Sequence, residues 1–318
     1  MAILGLDIGG ANLKAALIDG TARARRFALW KQPNQLGCEL AVLTNGLVFD
    51  RIALTMTAEL CRCFATKREG VRFILDAVRT FGGSKPIEVW GTDGQFHADE
   101  SIDLLTLAAS NWLALAKFAG RFVTSGPSVL VDVGSTTTDV IPLQDGQPVP
   151  TGRDDMTRLQ TGELIYTGVR RTPLCALLGW RGMAEAFAAT TDINLLLGHI
   201  SECPDDLDTA DGRPATKEAA HSRLARMLGG DGELIPLETT LEMARALYAR
   251  QVGRISESIS RHGEVIRIIS GSGEFLARDA CGCGSPIISL SERLGPGISS
   301  AACAYAVAIL AHERALCT

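Results

Sequence analysis

Two short segments carry the residue types that a phosphate site with a divalent cation needs. The first is Asp7-Ile8-Gly9-Gly10-Ala11-Asn12-Leu13-Lys14. Glycines in a tight turn let backbone N–H groups face an anion at close range. Asp7 at a strand end suits Mg2+, usually held through water, and Asn12 and Lys14 add side-chain donors. Taken alone, the string fits an ordinary hairpin equally well, since Gly-Gly is a common turn. The second segment is Asp132-Val133-Gly134-Ser135-Thr136-Thr137-Thr138-Asp139. Its four consecutive hydroxyls after a glycine turn suit a polyphosphate, and Asp139 returns a carboxylate to the same rim. A third strand-to-glycine turn follows at Ile268-Ile269-Ser270-Gly271-Ser272-Gly273-Glu274. Glu274 directly after Gly273 repels phosphate unless a cation intervenes, which weighs against a nucleoside there.

Further residues have both a chemical and a plain structural reading. Lys67 and Arg68 can hold a diphosphate or simply open a solvated helix. Glu59, beside Cys61 and Cys63, is a candidate general base or a structural carboxylate. Arg170-Arg171 has the form of an anion clamp, because guanidinium groups bind phosphate or carboxylate bidentately. Tyr166 and Trp112 can stack on a flat aromatic substrate, although core packing is the default for both. His97 and His221 read as structural or surface histidines. Asp205, Asp206, Asp208 and Asp211 lack calcium-loop spacing and read as solvated acid in an exposed loop from Glu202 to Arg213. The nine cysteines are an odd number. With no export signal they read as reduced thiols, and Cys61-x-Cys63 and Cys281-x-Cys283 are spaced too tightly for a usual structural zinc site.

Elements must position these residues. At 318 residues the chain is about twice an ordinary domain, so two lobes are expected. Apolar residues at 46% and charged residues at 21% fit a globular chain. The net charge of −5 gives no bulk attraction to nucleic acid or an anionic membrane. The N-terminus lacks a basic region, and the longest apolar run, Ile298 to Ala311, falls short of the roughly 20 residues that span a bilayer. A soluble, cytoplasmic protein is expected, with self-association into a homo-oligomer left open.

Apolar runs bounded by Gly or Pro predict strands at Ala2–Asp7, Ala15–Asp19, Arg26–Trp30, Arg51–Met56, Ile87–Gly91, Val129–Gly134, Val140–Leu143, Ile266–Ser270 and Pro286–Leu290. Helical periodicity predicts Arg68–Phe81, Ser101–Ala119, Thr216–Leu228, Glu238–Arg261 and Gly297–Arg314. The alternation implies an α/β chain. The hydrophobic strand, Asp, Gly turn and second strand occur twice, so two pseudo-symmetric lobes are expected. The boundary is placed near Gly126-Pro127, giving residues 1–126 with the first phosphate motif and 127–318 with the other two.

The three turn motifs resemble the phosphate-1, phosphate-2 and adenosine motifs of the superfamily of sugar kinases, heat-shock chaperones and actin. That resemblance implies two ribonuclease-H-like lobes with a central ligand cleft. It also implies Asp7 and Asp132, with Asp139, on Mg2+, and Gly9, Gly10, Asn12, Lys14, Gly134, Ser135, Thr136, Thr137, Gly271, Ser272 and Gly273 around phosphate. Three more segments narrow the resemblance. They are Met56–Leu60 with Ala65–Val71, then Ala109-Ser110-Asn111-Trp112, then Gln160-Thr161-Gly162-Glu163 through Tyr166, Arg170 and Arg171 to Pro173. Together they look like the hydantoinase A/oxoprolinase-related proteins of tetrahydromethanopterin-linked one-carbon metabolism. The branch implied is methanofuran biosynthesis. Its reaction joins an aminomethyl-furanmethyl diphosphate to a phenolic tyramine- or tyrosine-derived acceptor as an aryl ether, with Mg2+ assisting loss of diphosphate.

On that implication Lys14, Asp132, Asp139 and Glu59 are catalytic, with Glu163 a further candidate base. Lys67, Arg68, Asn111, Trp112, Glu163, Tyr166, Arg170 and Arg171 contact the substrates. Two rivals remain open at this point. One is an ATP-dependent small-molecule kinase or an oxoprolinase/hydantoinase-like hydrolase; the other is a nucleotide-switched interaction protein.

Overall fold

The computed structural model describes residues 2–98, 102–178 and 182–317. In chain order the strands are β1 Ile3–Ile8, β2 Asn12–Leu17, β3 Ala22–Arg26, β4 Arg51–Met56, β5 Ile87–Trp90, β6 Phe96–His97, β7 Pro127–Val133, β8 Thr138–Gln144, β9 Gln147–Pro148, β10 Leu164–Ile165, β11 Ile266–Ser270 and β12 Ile287–Ser289. The α-helices are α1 Leu36–Leu43, α2 Lys67–Gly82, α3 Asn111–Ala119, α4 Asp155–Thr161, α5 Cys175–Leu178, α6 Thr190–Leu197, α7 Lys217–Met227, α8 Leu237–Ser260, α9 Glu274–Cys281, α10 Leu290–Leu294, α11 Pro296–Ser300 and α12 Ala302–Leu316. The α/β class expected from the alternation is the one observed.

Two compact units emerge, and their division differs from a single cut near residue 126. The first takes residues 1–130, 141–161 and 288–318; the second takes 131–140 and 162–287. The C-terminal segment belongs to the first unit for a local reason. A Cβ on Gly5 of β1 would overlap the Ala304 carbonyl of α12 and stand 2.9 Å from Ala308 Cβ, so small residues on both sides let helix and strand meet closely.

In the first unit the sheet runs β3-β2-β1-β4-β5-β6. β1 is buried along its whole length, as a continuous apolar strand in mid-sheet should be. It pairs antiparallel with β2 and parallel with β4, and β4 pairs parallel with β5. This is the strand order of the ribonuclease-H-like sheet implied above. Apolar side chains of the sheet pack with Leu36, Leu40, Val71, Ile74 and Val78 of α1 and α2 into one core. α2 starts cleanly because Thr66 accepts the Glu69 N–H, while the Glu69 carboxylate accepts the Ala65 N–H at 2.8 Å, a reciprocal cap.

Several predicted elements shift; the strand expected at Ala15–Asp19 lies at Asn12–Leu17. The strand expected at Arg26–Trp30 lies earlier, at Ala22–Arg26, where arginines on an edge strand face water. Phe27 and Leu29 are instead buried beyond its end, with their amides bonded to Ala11 and Gly10. The helix expected at Ser101–Ala119 is broken: a 3-10 turn at Leu104–Leu107 precedes α3, and Ala109 between them has φ 47°. Ser101 itself lies outside the described residues. The helix expected at Gly297–Arg314 splits at Ala301 into α11 and α12.

The second sheet has the order β10-β8-β7-β11-β12, with β9 also on β8. In the second unit, α6, α7 and α8 share a core that includes Ile193, Leu195, Leu224, Met227 and Leu247. α6 was invisible to periodicity because Thr190 through Leu196 are all buried, leaving no polar face to set a rhythm. Buried Arg223 is bonded to buried Asp192 at 2.8 Å and to Asp211 at 3.0 Å. The aspartate loop is therefore not uniformly solvated. Asp206 is buried and Asp211 sits among Arg223 and Arg226, because buried guanidinium groups require carboxylate partners.

Candidate active site

In the first unit, sheet register sets the glycine turn. Asp7 at the end of β1 stands opposite Lys14 of β2 and beside Thr55 of β4. Asp7 is 3% exposed, and Lys14 Nζ lies 3.6 Å from its Oδ2. Asn12 and Lys14 share the half-buried face of β2. The Gly9 N–H donates to Asn12 O at 3.0 Å. In the second unit the Gly134 N–H donates to Thr137 O at 2.9 Å, the same closure in the same place. The two turns thus share geometry as well as sequence, but these amides close the turns and do not face an anion. Gly273 is a further correction of this kind, since its N–H donates to Val133 O at 2.9 Å.

Glu59 follows β4 on a loop that lies against the first turn. The Thr57 N–H donates to Ile8 O at 2.9 Å, and a Cβ on Gly10 would stand 2.7 Å from Cys61 Sγ. A Cβ on Gly70 of α2 would collide with the Glu59 backbone, so glycine there lets the helix clamp this loop. Glu59 is 1% exposed, and its Oε2 has no hydrogen-bond partner. Its Oε1 lies 3.8 Å from Lys67 Nζ, which lies 2.6 Å from Asp155 Oδ2. Burial pushes the Glu59 carboxyl up to about 7, against the opposing pull of its own backbone amide, the Lys67 charge and the Ala109 amide; Asp155 adds to the upward push. Burial works to lower the Lys67 ammonium, but the hydrogen bond and charge of Asp155, with Glu59, hold it above its ordinary value. The amide that helps Glu59 belongs to Ala109, whose positive φ is uncommon for a residue with a Cβ.

In the second unit three segments converge. A Cβ on Gly168 would stand 2.6 Å from Thr136 N and 2.7 Å from Gly134 O, so the 168–171 segment lies directly on the hydroxyl-rich turn. Ser135 O accepts N–H bonds from both Arg170 and Arg171, and Gly134 O accepts from Val169. Gly271 has φ 91°, and a Cβ there would stand 2.7 Å from Asp132 Oδ1. Buried Gln251 fixes the segment from below, donating to Thr167 Oγ1 at 2.9 Å and Gly168 O at 2.8 Å. Asp139 of β8 and Glu163 are buried next to each other in sequence register: Asp139 pairs with Leu164, and the Val140 N–H donates to Glu163 O. Ser272 precedes Gly273 at the start of α9, which Glu274 opens.

Several expected substrate residues are placed otherwise. Trp112 is 2% exposed and has the buried Arg158 guanidinium 4.0 Å over its ring, so it is core and not a stacking surface. Arg170 Nη2 is 2.6 Å from buried Asp206 Oδ2, which already matches its charge. Arg68 pairs with Asp103 on the surface. Asn111 opens α3, half-buried, and Tyr166 is 65% exposed. His97 bonds Asp93, and His221 bonds Thr240 Oγ1 and Gly232 O, both local structural roles. Among the described residues no group of three or more His, Cys, Asp or Glu is placed to hold a metal, and no helix is long and apolar enough to cross a membrane.

Sequence reasoning passed over Asp155, gave Ala109 no role of its own and read Asp206 as solvated acid. Asp155 sits in an Arg153-Asp154-Asp155 string that looks like surface loop. Only the positive φ distinguishes Ala109, and no residue type announces that.

The chain resembles known proteins along its whole length. It is 36% identical over 98% of itself and 98% of the (4-{4-[2-(gamma-L-glutamylamino)ethyl]phenoxymethyl}furan-2-yl)methanamine synthase of Methanocaldococcus jannaschii. It is 34% identical to a protein of the same name from Methanococcus vannielii, over 57% of this chain and 89% of that one. In three dimensions it is similar to a ROK family glucokinase from Streptomyces griseus, solved with glucose and AMPPNP. The TM-score is 0.50 at 14% identity, covering 98% of this chain and 100% of that one, a likeness of fold. Residues 50–314 match the family described as hydantoinase/oxoprolinase. This chain belongs to the hydantoinase/oxoprolinase family.

Proposed function

We propose that this chain is an enzyme of methanofuran biosynthesis that forms an aryl ether between a furan and a phenol. The observation that carries this is the 36% identity, over 98% of both chains, to a synthase whose name spells out its product. That product holds an aminomethyl furan joined through CH2–O to a phenyl ring bearing a γ-glutamylaminoethyl group. The bond to be made is therefore the phenoxymethyl C–O bond. The acceptor is γ-glutamyltyramine or a close relative, and the donor is the aminomethyl-furanmethyl diphosphate.

In this reaction the furanmethyl carbon loses diphosphate, which departs with the electron pair of its C–O bond. The phenol oxygen supplies the new bond and gives up its proton. Such chemistry asks the protein to stabilise a growing anion on one partner and to deprotonate the other. In the second unit the Ser135, Thr136 and Thr137 hydroxyls are assigned to phosphate oxygens, and in the first unit the Lys14 ammonium is assigned the same kind of anion. Mg2+ is assigned to Asp132. Gly271 packs tightly against this carboxylate, since a Cβ there would overlap Val133 O and stand 2.7 Å from Asp132 Oδ1, and Mg2+ commonly needs only one or two carboxylates besides phosphate oxygens and water. When bound, the metal would neutralise charge on the leaving diphosphate. Asp7 already has Lys14 at 3.6 Å, so we assign it to orienting that lysine.

The test is direct. Incubated with the furanmethyl diphosphate, a γ-glutamyl- or free tyramine acceptor and Mg2+, the protein should release one diphosphate per ether formed, read by mass spectrometry. Diphosphate with Mg2+ should raise the melting temperature, by about 2.7 kcal/mol of stabilisation at a hundredfold excess over Kd, and Asp132→Asn should erase that shift. Transfer of phosphate from ATP to a small molecule, with no ether from the diphosphate donor, would replace this reading with the kinase one.

A further inference from the structure

The phenol must lose a proton, and free phenols ionise only near pH 10, so about 0.1% is anionic at neutrality. Glu59, Asp139 and Glu163 are the carboxylates that the sequence puts forward for this task. The geometry of the first unit separates Glu59 from the other two.

Glu59 is 1% exposed, and its Oε2 lacks any hydrogen-bond partner, an expensive condition for a buried carboxyl oxygen. Its surroundings hold it in place. Gly70 lets α2 press on its backbone, and Thr57 and Cys61 on either side line the Gly9-Gly10 turn. Ala109 turns its amide toward it from a backbone conformation with φ 47°. Unusual backbone of this kind persists where the surroundings enforce it and gathers at functional sites. The charged groups facing Glu59 are Lys67 of α2 and Asp155 of α4, which are paired with each other. Lys67 is 26% exposed and so marks the side from which a ligand reaches the pair. Oε1 of the carboxyl faces the solvent-reaching Lys67 ammonium at 3.8 Å, and the partnerless Oε2 is where a phenolic O–H would be accepted, with that ammonium on the same carboxyl to favour the developing phenolate.

We propose that Glu59 is the catalytic base for ether formation, taking the phenolic proton on Oε2. This rests on the transfer reaction proposed above. The phenol O–H bond breaks toward Glu59, its oxygen bonds to the furanmethyl carbon, and diphosphate leaves with the electrons of the bond it breaks. The carboxyl's position near 7, set first by burial, suits a base that must be largely ionised and still accept a proton.

The experiment compares Glu59→Gln with the unaltered protein, using phenolic acceptors of graded acidity such as tyramine and its ring-fluorinated forms. The glutamine keeps the shape but cannot take the proton. With tyramine, kcat should fall by about 10²–10⁴-fold, the usual worth of a general base. The loss should shrink as the phenol becomes more acidic, while the diphosphate-induced melting shift stays. A kcat within about threefold, or an equal loss with every phenol, would overturn the proposal. Lys67→Met supplies a second readout in a chain that keeps Glu59. Removing the cation should move the acidic limb of kcat/KM to higher pH, and an unmoved limb would count against Glu59. If the unaltered protein forms no ether from the diphosphate donor, the transfer reading itself falls and takes this role with it. Ether formation with an indifferent Glu59→Gln removes the base alone.

Discussion

Lys67 Nζ lies 2.6 Å from Asp155 Oδ2, an ion pair that joins the first residues of α2 and α4 across 88 positions of sequence. The pair is half-buried, and its lysine also faces Glu59. Asp155 pushes Glu59 upward and Lys67 pulls it down, so the two partners tune one carboxyl in opposite senses. Asp155→Asn should therefore move the acidic limb of kcat/KM to lower pH, opposite to Lys67→Met. The stability loss should be small, about 1 kcal/mol or less, as for a partly exposed pair. Two pH–rate profiles check the sign; shifts in the same direction for both variants would refute this arrangement.

Glu59 also predicts a pH dependence of stability. Burial first, and Asp155 with it, places the folded-state carboxyl at about 7 against an ordinary 4.5. Between those values the folded chain keeps a proton that the unfolded chain has released, so stability falls as pH rises through the window and levels off above it. The whole effect is about 3 kcal/mol at 1.36 kcal/mol per unit. Glu59→Gln should lack this slope, and its melting temperature relative to the unaltered protein should climb from pH 4.5 to 7. A difference independent of pH would contradict it.

Lys14 should matter for turnover and, more modestly, for folding. It stands 3.6 Å from the buried Asp7 carboxylate, so Lys14→Met removes both the donor proposed for diphosphate and a compensating charge. Loss of one charge-stabilising donor typically costs about 10²–10³ in kcat. Steady-state kinetics beside urea unfolding would separate the two effects. An unchanged kcat would leave Lys14 as a partner of Asp7 alone.

Trp112 and Tyr166 should behave oppositely. Trp112 is packed against Arg158, so Trp112→Ala should cost about 3–5 kcal/mol of stability, the range for large aromatic deletions in cores. Tyr166 is largely exposed, so Tyr166→Ala should leave stability within about 0.5 kcal/mol. A ring used for stacking would instead show as a raised KM for the phenolic acceptor. Denaturant titrations and acceptor KM values for the two variants decide which ring serves which purpose.

The sequence alone determined the α/β class, β4 and β11 to the residue, and the matched aspartate–glycine turns, because these are written in local pattern: apolar runs for buried strands, periodicity for α2, α7 and α8, and glycine where chains turn. It also put Glu59 and Lys67 forward by residue type. What it could not decide was which polar groups have their partners. Gly9 and Gly134 looked like anion donors, yet their amides close their own turns. Arg170 looked like a clamp, yet Asp206, 36 residues later, holds it. Hydrogen bonds and ion pairs of this kind join residues far apart in the chain, and a carboxyl's affinity for protons depends on how much water its neighbours exclude. Only the tertiary structure brings α4, α2 and the strained Ala109 around Glu59, and it is that enclosure, absent from any local string of residues, that sets one glutamate apart from the rest.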